Sequence, residues 1–228
     1  MTVKGPDIQE IRRLHEALSG ELIQTPVVRC AAIEAVIGGD TEVTAKLEFL
    51  QRTGTFKARG ALGTLRNLSP EQLAAGVTAV SAGNHAIATA FAARAMGTTA
   101  KVVMMKSANP ARVQACREYG AEVVHADNVH VAFDVVERIQ REEGRYFLHP
   151  FEGPGVALGT GTVGLEICEQ VADFDALVVP VGGGGLIAGI ANAAKQLRPD
   201  AKIIGVEPKG ADTMHRSFEA GEPRSIER

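Results

Sequence analysis

Gly54-Thr55-Phe56-Lys57-Ala58-Arg59-Gly60-Ala61 sets a lone lysine between an aromatic and an arginine, at a point where a loop turns into a helix. Upstream, Val43, Ala45 and Leu47 fall on one side of the alternating run Thr41 to Glu48, which predicts a strand. Downstream, Ala58 to Leu68 carries apolar residues at helical spacing. A lysine in a first helical turn meets the positive end of the helix dipole, which favours its neutral form. A neutral amine attacks carbonyl carbons. A solvated lysine would look the same in isolation, so the neighbouring motifs decide what Lys57 is for.

Outward from that point the pattern becomes regular. Asp7 to Leu18 reads as a capped amphipathic helix ended by Gly20, and Thr25-Pro26 as an extended turn. Strands are expected at 77–80, 100–104, 121–125 and 146–148, with helices at 84–96, 111–119 and 129–142 between them. Short apolar strands alternating with helices mark a parallel sheet covered on both faces. FEGPGVALGTG, between Pro150 and Gly161, is rich in glycine and proline and reads as a long functional loop or a crossing between domains. A second series follows, with helix 162–171, strand 176–181, helix 186–197 and strand 202–206. The ending GEPRSIER is polar and closes with neither strand nor helix.

The chain has 228 residues, 45% of them hydrophobic and 22% charged, enough for one large or two modest cores. A net charge of −3 without a basic run argues against nucleic acid or an anionic membrane as partner and leaves small molecules. No stretch reaches the length of a membrane span, and the first thirty residues hold no apolar segment of the signal-peptide kind. Three widely separated cysteines, Cys30, Cys116 and Cys168, fit a reduced cytoplasmic setting.

Two further strand-to-helix turns carry chemistry. The apolar strand ending at Val181 runs into Gly182-Gly183-Gly184-Gly185 and then the helix beginning Leu186-Ile187. Glycines there leave backbone N–H groups uncovered at the positive end of a helix, an anion site suited to phosphate. Ser81-Ala82-Gly83-Asn84-His85 ends another strand and offers a hydroxyl, an amide and free N–H groups to a substrate carboxylate or a ring oxygen. Each has a plainer reading, a flexible turn for the glycines and a helix cap for Ser81. Gly183, Gly185 and Ala188 also satisfy G-x-G-x-x-A, with Glu207 ending the next strand, so a nicotinamide dinucleotide is a rival. Its turn would sit late in the chain, and it gives Lys57 no task.

Taken in order, KLEFLQRTGTFKARGA, SAGNHA, YGAEVV, GTGTVGLEI, VGGGGL and IIGVEP resemble the fold type II pyridoxal-phosphate enzymes, and most closely their serine/threonine dehydratase branch. The resemblance runs from about Leu14 to the end. It implies an α/β fold of two lobes, like the tryptophan synthase beta chain, each lobe a mostly parallel sheet covered by helices. The small lobe would span 53–145, and 1–52 with 146–228 would form an incomplete large lobe lacking its C-terminal part. Lys57 matches the lysine that holds pyridoxal 5'-phosphate as a Schiff base, Phe56 its neighbour against the ring, Asn84 the amide that meets the phenolic oxygen. Gly182, Gly183, Gly184 and Gly185, with Leu186, match the phosphate cradle. Ser81, Ala82, Gly83, Asn84 and His85 match the substrate turn, with Ser81 catalytic beside Lys57.

What the resemblance implies is elimination of water and ammonia from L-threonine or L-serine, giving a 2-oxo acid in a cytoplasmic homo-oligomer. Ala58 stands where relatives that make cysteine or threonine carry aspartate, which favours dehydratases. Ala82 replaces the serine of the family's racemases, which disfavours racemisation. The family's divalent-cation site would use Glu207 and a carbonyl at Ala211. Thr213 holds the place of a charged ligand, with Asp212 adjacent, so a cation would be held weakly. Beside the nicotinamide-dependent oxidoreductase, a truncated domain that binds but does not turn over is the third reading.

Overall fold

The computed structural model describes residues 5–225. The last three residues of the polar ending GEPRSIER lie outside the described residues. Asp7 accepts from Gln9 N and Glu10 reaches back to Asp7 N, a capping box that starts α1 (Ile8–Ala17) and turns Ile11 and Leu14 inward. A short antiparallel pair follows, β1 (Val27–Arg29) and β2 (Thr44–Lys46), with α2 (Ala31–Ile37) between its strands. A single 3-10 turn, Glu48–Leu50, leads to α3 (Lys57–Leu65), the lysine helix.

Next come α4 (Pro70–Ala75), β3 (Val77–Val80), α5 (Asn84–Ala95), β4 (Ala100–Met105), α6 (Pro110–Glu118), β5 (Glu122–Ala126), α7 (Val129–Glu143) and β6 (Tyr146–Phe147). Their strands form one parallel sheet in the order β5-β4-β3-β6. Alternate residues of a strand face opposite sides. Val102 and Met104 accordingly join the core under α3, α5 and α6, while Val103 joins Val136 and Ile139 of α7 on the other face. This is the doubly covered sheet that the alternation predicts.

The expected loop over 150–161 is a correction. Only its first few residues are irregular, because α8 (Pro154–Gln170) begins at Pro154. Glycine weakens a free helix by about 1 kcal/mol, which is why the run reads as a loop. Here the glycines let backbones meet. A Cβ on Gly63 would lie 2.5 Å from Gly155 O, and one on Gly155 would lie 2.6 Å from Thr64 Cα. The chain continues through β7 (Ala176–Pro180), α9 (Gly185–Leu197) and β8 (Lys202–Val206), with β7 and β8 parallel, to α10 (Thr213–Ala220). Helices α8 and α9 approach as closely as α3 and α8: a Cβ on Gly164 would lie 2.7 Å from Ile190 O. Among the described residues no helix is long and apolar enough to cross a membrane.

Candidate active site

Lys57 opens α3, its backbone N–H capped by Thr55 Oγ1 at 3.2 Å. Its Nζ donates to Pro150 O at 2.6 Å and lies 5.1 Å from the centre of the Phe56 ring. Burial pushes the amine below its ordinary value. The expected direction is therefore met, with desolvation as its cause. The same cavity is bordered by His85 at the start of α5, by His149 and Pro150, and by Gly185 and Leu186 at the start of α9. Lys57, His85 and Gly185, 28 and 128 residues apart from the lysine by their numbers, thus meet at one place, whereas Ser81, Ala82, Gly83, Asn84 and Gly182 to Gly184 do not line that cavity.

At the glycine turn Gly184 takes φ +85°, a conformation that favours glycine, and α9 starts at the next residue. The N–H groups from Gly182 to Ile187 donate to no acceptor among the described residues. Phe151 packs against this turn: a Cβ on Gly183 would overlap its ring, and one on Gly185 would lie 2.5 Å from its carbonyl oxygen. In the turn before α5 Ser81 Oγ accepts from Gly83 N at 3.1 Å, Ala82 and Gly83 are half-buried, and Asn84 is exposed. His85 is buried, and its Nε2 donates to Leu148 O at 2.8 Å. Burial lowers its pKa to about 4, with Lys57 adding to the effect, so the ring is neutral at physiological pH.

Of the two expected cation ligands, Glu207 is engaged elsewhere. Glu207 accepts from Met214 N at 2.9 Å and from His215 N at 2.8 Å, which makes its carboxylate the cap of α10. Ala211 donates its N–H to Pro208 O in the turn before that helix. Among the described residues no group of three or more histidine, cysteine or acidic side chains could hold a metal ion.

Behind the lysine lies an ionic cluster that residue spacing does not announce. Arg59, fully buried, donates to Glu166 through Nη1 at 2.6 Å and Nη2 at 2.9 Å, and to Glu48 through Nε and Nη2, both at 2.8 Å. Lys46 Nζ and His15 Nε2 also donate to Glu166, at 2.5 and 3.1 Å. These donors hold the Glu166 carboxyl down at about 2 against the desolvation that would raise it. Two anions and two lysine or arginine cations therefore balance, as buried charge requires.

Residues 18–228 match a sequence family described as pyridoxal-phosphate dependent enzyme. Phenylserine dehydratase of Ralstonia pickettii is 55% identical over 222 residues, covering 97% of this chain and 68% of that protein. L-threonine ammonia-lyase of Thermotoga maritima is 38% identical over 221 residues, covering 96% of this chain and 55% of that protein. The structure of maize serine racemase superposes with a TM-score of 0.92 at 36% identity, covering 98% of this chain and 68% of that one. The chain thus spans between about half and two thirds of the length of these relatives. A family match over almost the whole chain and a shared fold at this identity make it a member of the fold type II pyridoxal-phosphate dependent enzymes.

Proposed function

We propose that the chain carries the catalytic lysine, phosphate cradle and substrate turn of a pyridoxal-phosphate-dependent dehydratase, or ammonia-lyase. Its substrate would be a small β-hydroxy amino acid, L-threonine or L-serine first. The observation that carries this is the single cavity that joins the desolvated Lys57 amine to the start of α9. The residues present fit pyridoxal phosphate. Bare N–H groups on glycines at a helix start suit the phosphate.

Lys57 would hold the cofactor, Phe56 would lie against its ring, and Asn84 would meet its phenolic oxygen. When bound, the cofactor supplies an electron sink for charge developing at the substrate Cα. Lys57 Nζ, with its pKa lowered by burial, takes the proton from Cα. Ser81 Oγ and the N–H groups of the turn hold the substrate carboxylate. Ala82 presents only a methyl group where the family's racemases carry a serine, which favours elimination over racemisation. Residues 53–145 would form the lobe that carries the substrate turn. A second substrate in the same class, 3-phenylserine, is favoured by the 55% identity to a phenylserine dehydratase.

The test is covalent. Incubation with pyridoxal phosphate and reduction with borohydride should place the label on Lys57 in a peptide map. Label on another lysine, or none, overturns the assignment.

A further inference from the structure

Lys57 and His85 hold the same short run of backbone at carbonyls two residues apart, Lys57 at Pro150 O and His85 at Leu148 O. A carbonyl oxygen only accepts, so His85 carries its hydrogen on Nε2 and the neutral ring is held in one tautomer. On the far side of Pro150 the N–H groups of Glu152 and Phe151 donate back to His149 Nδ1, at 2.9 and 3.4 Å, and close the turn. Proline adds its own restraint, since its ring fixes φ. The Pro150 carbonyl is thereby aimed by contacts before it, at it and after it.

We propose that the Pro150 carbonyl is the docking acceptor for the Lys57 amine whenever that amine is not joined to the cofactor, with His85 as the positioning residue that aims it. The statement rests on the pyridoxal-phosphate reading of Lys57. Its physical content is a balance. Burial disfavours the ammonium form, and a hydrogen bond from the ammonium to a carbonyl favours it. A lysine that has just taken a proton is kept in the site, within reach of the atom to which it must return.

The titratable groups that face the amine are His85 from α5 and His149 from the segment before α8. The remaining lining is uncharged. It comprises Phe56, Gly60 and Ala61 beside the lysine, Val156 and Thr160 of α8, and Gly185 and Leu186 of α9. With no carboxylate in that lining, the carbonyl is the contact that can hold the ammonium.

Competitive acetylation of the cofactor-free protein with acetic anhydride across pH, read at Lys57 by mass spectrometry, measures the amine's titration midpoint directly. His85→Gln keeps a donor for Leu148 O and should leave the midpoint where it is in the unmodified protein. His85→Phe removes the donor and should lower the midpoint by about one pH unit, the worth of a charged hydrogen bond. Pro150→Gly frees the carbonyl without touching the buried ring and should shift the midpoint the same way, so it decides the matter if His85→Phe does not fold. Equal midpoints in the unmodified protein and in a folded His85→Phe or Pro150→Gly variant would overturn the docking role. Borohydride capture separates the two ideas. Loss of capture with shifted midpoints would sink the cofactor assignment and leave the contact standing, and normal capture with unshifted midpoints would sink the docking role alone.

Discussion

Replacing Glu166 by glutamine keeps the volume of a fully enclosed side chain and removes the charge that balances Arg59 and Lys46. The carboxyl stands at about 2 in the folded chain against an ordinary 4.5. That difference corresponds to about 3 kcal/mol of folding free energy at ~1.4 kcal/mol per pH unit. Breaking one partner of a buried ion pair costs about 3–5 kcal/mol, the same range. For a chain of this size each kcal/mol moves the melting temperature by about 2–4 °C, so Glu166→Gln should melt roughly 6–12 °C lower at pH 7. The pH dependence carries the diagnosis. A carboxyl whose pKa is depressed by folding contributes fully above 4.5 and loses its contribution as pH falls toward 2. The urea stability gap between the two proteins should therefore narrow to roughly half its neutral-pH size near pH 3. A gap that stays constant from pH 7 to pH 3, or one below about 1 kcal/mol at pH 7, would refute the charge-balance argument.

Gly183→Val should cost about 100-fold or more in pyridoxal-phosphate affinity, measured by visible absorbance, because the side chain must push the Phe151 ring away from the turn and distort the N–H groups that would meet the phosphate. Unchanged affinity would move the phosphate elsewhere and revive the dinucleotide reading. Ser81→Ala should lower turnover of the β-hydroxy amino acid by about 10-fold or more while cofactor affinity stays within about threefold. With Ala82 next to it, the protein should release 2-oxo acid from L-threonine or L-serine, and D-amino acid as the main product in a chiral assay would overturn the role given to that methyl group.

Much of this was legible because the signals were local. Val77–Val80 and Lys202–Val206 are short apolar runs bounded by turn residues, and both are strands over those residues. Lys57, the glycine turn and Ser81 to His85 each stand at a junction between elements, where function leaves a compositional trace. What escaped had weak or misleading signals. Ser69-Pro70-Glu71-Gln72 is a capping box with proline at the helix start and could have revealed α4. Gly155, Gly159 and Gly161 hide a helix, because periodicity counts side chains and glycine has none to count. Pro150 receives the lysine through its carbonyl, a group that every residue carries, so no composition could point to it. Glu166 lies 107 positions from Arg59, and only the packing of α8 on α3 brings the two together.

The glycine-lined crossings of α3, α8 and α9 have a consequence beyond close packing. Because main chain touches main chain at Gly63, Gly155, Gly164 and Gly189, the span from the lysine to the glycine turn is set by peptide groups of fixed size. It behaves as a gauge block. Side chains in the surrounding cores can drift in volume over evolution, or be redesigned, without changing the length between amine and glycine turn. One added methyl at any of those four positions would reset that length, so tolerance to mutation in this region should follow the identity of the glycines and not the hydrophobicity of their neighbours.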